Sequence, residues 1–379
     1  MKKRKLIACI ASIAMVGSLF VGCGNAANPN GEKKGEPKQE QKSSIKVGLA
    51  TDEGGLNDKS FNQSADKGLK KAKKELGAEY KPIESKGKES YVQNLQLLSQ
   101  DFGADLTFGV GYQMKQSLED VAKGAKDKNF ALIDEKINLP NVQSLLFKEQ
   151  EGSFLVGVIA AKMTKTNKLG FIGGKEGDVV GRFEAGYVAG AKSINPNIKF
   201  DIRYADSFAD SNKGYELAKS EYNAGCDIVM HAAGGVGIGL FQATSELKKA
   251  GKNVWAIGVD MDQALSLLDD KGKPQYADVI LTSMVKKVDV AVFEAVKEVK
   301  EGKFKGGIVK NFGLKENGVE IAQSSRGNAP DDMKKYVKGN VPKDIVELSD
   351  KYSEAIKSGK IVVPATPKEA KAFKGAPLK

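Results

Sequence analysis

The sequence predicts an α/β protein of two doubly wound parallel-sheet lobes. Three observations predict it. The chain has 379 residues, beyond the size at which one core usually stops growing, and its 41% hydrophobic residues can fill two cores. From Ile45 onward short apolar runs alternate with stretches of helical periodicity, the pattern of parallel strands joined by crossover helices. That alternation occurs twice, on either side of the helical stretch "SFLVGVIAAKMT".

Residues before Ile45 have a different character. A basic start, Lys2, Lys3, Arg4 and Lys5, leads into an apolar stretch from Leu6 to Val21 that is short for a membrane-spanning helix, and then into small residues and Cys23. This is an export signal over residues 1–22. "LFVGC" resembles the bacterial lipobox, with Phe20 where Leu or Val is usual, and it implies a lipidated Cys23. Residues 23–44 hold that cysteine and a run rich in Lys, Glu, Gln, Gly and Pro without large apolar residues, the composition of a disordered tether. Cys9 leaves with the signal, so Cys226 has no partner for a disulfide.

In the first set of elements "IKVGLA", "YKPIES", "ADLTFGVG", "FALIDE" and "VQSLLF" read as strands. Phe61, Ala65, Leu69, Ala72 and Leu76 fall on one face of the helix that follows the first of them. In the second set the strands are "KLGFIGG", "FDIRYADS", "CDIVMHAAGG", "NVWAIGVD" and "VILTSMV". Ligands of such sheets bind beyond the carboxyl ends of the strands. The polar or small residues at those ends are Asp52, Gly109, Gly111, Asp134, Gly234, Gly235, Asp260 and Lys286.

The turn "TDEGGLNDKSFNQ" after the first strand has two glycines that let the chain reverse close to a ligand. "SFNQ" has the form of a capping box, with Ser60 as the cap and Gln63 at the third helical position. Phe61 and Asn62 then lie in the first helical turn beside Asp52. An aromatic face, an amide and a carboxylate in one space suit a planar ring with a polar edge, although Phe61 also fits a hydrophobic staple.

Several chemistries are excluded or weak. The net charge of +11 is spread among 48 acids with only four arginines, which argues against nucleic acid as a partner. His231 is the single histidine, so zinc sites built on several histidines are ruled out, and it reads equally as a cleft support or a core residue. "GGVGIG" fails as a dinucleotide fingerprint because Leu240 stands where a third glycine is needed, and no P-loop is present. No cofactor is expected. "SFADS", residues 207–211, reads as a turn and helix cap.

"DEGGLNDKSFNQSADKGL" resembles the signature of the basic membrane protein family, purine nucleoside receptor lipoproteins that serve as substrate-binding components of ABC transporters. "FALIDE", "GRFEAGYVAGA", "HAAGGVGIGLFQA", "IGVDMDQ" and "LTSMVKKVD" follow in the family's order, from Ile45 to about Gln323. The resemblance implies a type I periplasmic-binding-protein fold with a hinge crossed near residues 146–152, 280–286 and 303–308. One lobe is then 45–148 plus 284–304, the other 149–283 plus 305–379. It also implies that Phe61 and Phe183 sandwich a base, that Asp52, Asn62 and Asp134 bond its edge, that Asp260 and Lys286 hold the ribose, and that Gly234 or Gly235 offers a backbone contact. The expected protein is a monomer, lipid-anchored on the extracytoplasmic face of the cell membrane, partnered by a permease and an ATPase. A surface receptor or adhesin without transport remains open. So does a nucleoside hydrolase, which would need an acid or metal at the glycosidic bond.

Overall fold

The computed structural model describes residues 44–378, so the signal, Cys23 and nearly all of the tether lie outside the described residues. Twelve strands are present among those described: β1 Lys46–Ala50, β2 Glu79–Ile83, β3 Leu106–Val110, β4 Asn129–Ile133, β5 Val142–Phe147, β6 Lys168–Gly173, β7 Lys199–Tyr204, β8 Ile228–Ala232, β9 Trp255–Asp260, β10 Ile280–Lys286, β11 Val309–Phe312 and β12 Val319–Ile321. They form two six-stranded sheets, ordered β11-β5-β4-β3-β1-β2 and β12-β10-β9-β8-β6-β7. The two orders match position for position. Every pairing is parallel except that of β12 with β10.

Burial follows from that order. The central strands β3 and β8 are buried at every position, which is why "LTFGV" and "IVMHA" read as continuous apolar runs, while the edge strands β2 and β7 keep half-exposed positions. Covering the first sheet, the Phe61–Leu76 helix buries Ala65, Leu69 and Ala72, the predicted face, and stops at Gly77 in a left-handed conformation. In the second lobe the helices Glu149–Met163 and Asp178–Ile194 cross in near backbone contact. A Cβ at Gly186 or Gly190 would overlap the carbonyl of Gln150 or Phe154, so the spacing of "AGYVAGA" sets how close the helices lie. That contact fixes the helix turn carrying Arg182 and Phe183.

The chain passes between the lobes after Phe147, after Lys286, and between Phe312 and Val319. The first two passages fall at or beside the expected places. The third does not, because β11 first adds to the edge of the first sheet, pairing Val309 with Ser144 and Phe312 with Phe147. The division at residue 305 is therefore corrected: residues 309–312 belong to the first sheet, whereas residues 284–286 complete β10 in the second. The Val288–Lys300 helix packs on the first lobe, where Asp289 pairs with Lys67 at 3.0 Å and its N–H donates to Ser64 Oγ.

Candidate functional site

The carboxyl ends of both sheets meet at a cleft of about 510 Å³, counting the space open to solvent at its mouth. Eight of the nine predicted ligand residues line it: Asp52, Phe61, Asn62 and Asp134 from the first lobe, and Phe183, Gly234, Asp260 and Lys286 from the second. Gly235 does not. Its N–H donates instead to the carbonyl of Phe208 at 2.8 Å. Sequence reasoning missed Asp58, Tyr112, Val179, Val180 and Phe208, all of which line the cleft.

The first-lobe wall is a hydrogen-bonded lattice built on the helix start. Asp58, not Ser60, caps that helix: its carboxylate accepts from the N–H groups of Ser60 (2.9 Å), Asn62 (2.8 Å) and Gln63 (3.0 Å). The expected Ser60–Gln63 capping box is absent because Ser60 Oγ donates across the cleft to Asp260. Asn62 Nδ2 donates to Asp52 Oδ1 at 2.7 Å and to Asp58 Oδ2 at 3.1 Å. Asp52 Oδ1 also accepts from Gly54 N–H, so Asn62 and Gly54 hold this carboxylate in place. Gly111 has a φ of 106°, and a Cβ there would come within 3.0 Å of Asp52 Oδ2 and 3.6 Å of the Phe61 ring. Only glycine fits this position without strain.

Asp134 directly follows β4 and Asp260 is the last residue of β9, the equivalent strand of the other sheet, and both adopt left-handed backbone, with φ of 74° and 61°. A non-glycine residue in that region is uncommon, and such strain concentrates at functional sites. Lys286 reaches from β10 to Asp134, with both carboxylate oxygens 2.6 Å from its Nζ, and to Glu149 Oε1 at 2.9 Å. Arg182 Nε donates to the other oxygen of Glu149 at 2.6 Å. The Lys286 ammonium also lies 4.8 Å from the centroid of Phe61, 5.0 Å from Phe147 and 5.7 Å from Phe183. Phe61 and Phe183, from opposite lobes, thus both come close to one ammonium.

Burial governs the charges. It pushes Asp52 up to about 7 against the hydrogen bond from Asn62, and Asp260 up to about 7 against the charge of Lys286. Burial likewise raises Asp134, to about 6, against the charge of Lys286. Burial works the same way on Glu149, but Lys286 and Arg182 outweigh it and hold the carboxyl below its ordinary value. His231 is fully buried beneath the site and does not line it; its Nε2 bonds Gln263 Oε1 at 2.9 Å, and burial lowers it to about 4. Among the described residues no group of three or more His, Cys, Asp or Glu is placed to hold a metal.

Residues 45–361 match a family described as ABC transporter substrate-binding protein PnrA-like. The chain is 38% identical over 381 residues to the CD4+ T-cell-stimulating antigen of Listeria innocua, covering 97% of this chain and all of that one. It is 37% identical over 375 residues to the ABC transporter nucleoside-binding protein BmpA of Lactococcus lactis, covering 96% of this chain and all of that one. A crystal structure of a solute-binding protein of an ABC transporter system from Aeropyrum pernix superposes with a TM-score of 0.75 at 28% identity, covering 87% of this chain and 98% of that one. The fold is the type I periplasmic-binding-protein fold with two parallel-sheet lobes, as expected. The family binds and delivers solutes without catalysis, working as membrane-associated lipoproteins on the extracytoplasmic face, partnered by permease and ATPase components. This chain, with its two lobes closed on a buried cleft, belongs to the PnrA-like family of ABC-transporter substrate-binding proteins.

Proposed function

We propose that the cleft captures a nucleoside, with purine nucleosides the preferred class, for delivery to the transporter. The observation that carries this reading is the placing of Phe61 and Phe183, one from each lobe, beside buried carboxylates that accept hydrogen bonds. Rings flanking a slot suit the face of a base, and carboxylates suit its N–H edge and a pair of ribose hydroxyls. The nucleoside-binding name of the Lactococcus relative supports the same choice.

In this reading Asp52 and Asp134 meet the base edge, steadied by Asn62, while Asp260 accepts from the ribose. Lys286 needs an exchange. Its contacts go to Asp134 and Glu149, so a ribose oxygen must take one from Asp134. That frees a carboxylate oxygen for a base N–H. Gly234 offers its backbone.

Titration calorimetry on protein stripped of co-purified ligand tests this. Adenosine and inosine should bind far better than adenine or hypoxanthine, because a site built to pair hydroxyls is left unsatisfied without them. A 2′-deoxynucleoside should lose roughly 1 to 3 kcal/mol, a preference that Asp260→Ala erases and Asp134→Ala does not. Adenosine 5′-monophosphate should bind poorly, since phosphate would enter a closed cleft of carboxylates. Equal affinity for adenine and adenosine would sink the ribose assignment.

A further inference from the structure

The turn after β1 touches the opposite lobe at three places. Both carboxylate oxygens of Glu53 lie 2.9 Å from Lys175 Nζ, and Oε1 also accepts from the N–H of Phe208 at 3.1 Å. The Lys59 carbonyl accepts from Gln263 Nε2 at 2.9 Å, and Ser60 bonds Asp260. The same turn is tied to its own lobe. Leu56 N–H donates to Glu84 Oε1 at 2.6 Å, and Asp58 gathers the N–H groups of the helix start. A segment fixed on one lobe and bonded to the other has the form of a clasp.

Phe208 is what the clasp positions. It follows β7 and lines the cleft, with its ring centroid 6.4 Å from that of Tyr112 and the ring planes at 78°. Tyr112 belongs to the first lobe, so this edge-to-face pair bridges the lobes over the slot. Gly235 N–H holds the Phe208 carbonyl from its own lobe, and Glu53 holds its N–H from the other. Glu53 itself does not line the cleft.

We propose that Glu53 is a positioning residue that latches the closed cleft by clipping Lys175 and the Phe208 N–H, so that the Tyr112–Phe208 pair stays shut over bound ligand. An isolated ion pair at the surface contributes little, and the Glu53 and Lys175 side chains are 23% and 25% exposed. Two donors converging on one carboxylate, one of them a backbone N–H in a fixed loop, make a stronger clip. These bonds exist only when the lobes meet. They therefore act on opening and ligand escape rather than on encounter.

The role of Glu53 as a latch for ligand rests on the nucleoside reading, but the interlobe clip does not, and the test separates them. Wild type, Glu53→Gln, Glu53→Ala and Lys175→Met are compared by small-angle scattering without ligand and by stopped-flow kinetics with adenosine. Glu53→Gln should enlarge the ligand-free radius of gyration and speed adenosine dissociation about tenfold, with association changed less than about twofold. Glu53→Ala, which also loses the acceptor for Phe208, should do more, and Lys175→Met less. Adding Lys175→Met to Glu53→Gln should change little, since the partner charge is already gone. An unchanged radius together with an unchanged dissociation rate in Glu53→Ala would overturn the latch, as would a loss confined to association. If wild type binds no nucleoside, the ligand reading fails, and the ligand-free radius alone decides the clip: enlarged in Glu53→Ala it stands, unchanged it falls.

Discussion

Asp134 directly follows β4 and Asp260 closes β9, strands at equivalent places in two sheets with the same strand order, and both carboxylates line the cleft from left-handed backbone. Away from that pair the lobes differ. The first surrounds its acid with Asp52, Asp58 and Asn62, locked in one hydrogen-bonded lattice, whereas the second presents Val179, Val180, Ala232 and Ala233. Lys286 is the only cation among the described residues lining the cleft, and the second lobe supplies it to the first. One scaffold used twice has thus been furnished for two tasks. On the proposed reading, the first lobe reads hydrogen-bond donors and the second closes apolar surface over them.

The largest effect should come from the charge that joins the two. Lys286→Met leaves Asp134 and Glu149 buried without their shared cation, and should destabilise the protein by about 3 to 5 kcal/mol in guanidinium unfolding. Lys287→Met removes a neighbour whose partner Glu320 is 3.2 Å away near the surface, and should change stability by less than about 1 kcal/mol. Similar values for both would mean that the lobes are not joined through Lys286.

The two aromatic walls sharpen the contrast further. Phe61 is half-buried at a helix start, so Phe61→Ala should weaken adenosine binding by about 1 to 3 kcal/mol and leave stability largely intact. Phe183 is buried in the second-lobe core, so Phe183→Ala should lower affinity and stability together. Large destabilisation by Phe61→Ala with unchanged affinity would return that ring to the role of a staple.

A smaller effect should appear on titration. Asp52 and Asp260, pushed up to about 7 by burial, are largely protonated at pH 6 in the free protein and must ionise to accept from ligand donors. Adenosine binding should therefore weaken as pH falls from 8 to 6 and should release protons at pH 7, measurable by calorimetry in buffers of different ionisation heat. Stability runs the other way. A carboxyl raised by folding binds its proton more tightly in the native state, so its contribution is complete below the unfolded value near 4 and is lost as pH rises through about 7. Asp52→Asn should remove that loss, stabilising ligand-free protein by about 1 to 2 kcal/mol at pH 8 while impairing binding. A pH-independent affinity would show that these carboxyls do not face the ligand.

Much of the cleft was legible because one rule, attention to the carboxyl ends of strands, needs only strand positions. Asp52, Gly234, Asp134, Asp260 and Lys286 came from it. Tyr112, two residues past β3, and Phe208, four past β7, obey the same rule and could have been found by it. "SFADS" hid Phe208 because it is also a cap: Asp210 accepts from the Lys213 N–H at 3.0 Å. The error at Ser60 has a local cause. Lys59 takes a left-handed φ of 57°, which turns the Asp58 carboxylate back over the helix start and leaves the serine hydroxyl for the other lobe.

The sequence by itself determined the alternation of strands and helices, the helix face of Ala65, Leu69 and Ala72, the family, and about half of the residues that line the cleft, because each is written in periodicity or in a contiguous motif. Tertiary structure alone decided what those residues touch. Lys286 and Asp134 are 152 positions apart, and no local pattern states that this lysine lies on that carboxylate rather than on Asp260. The same holds for β11, a four-residue edge strand whose placement depends on the open side of β5, and for Glu53, whose partners lie on the opposite lobe. Periodicity reports which face of an element is buried, whereas the pairing of charges across a cleft is set by where two separately folded lobes bring their strand ends together.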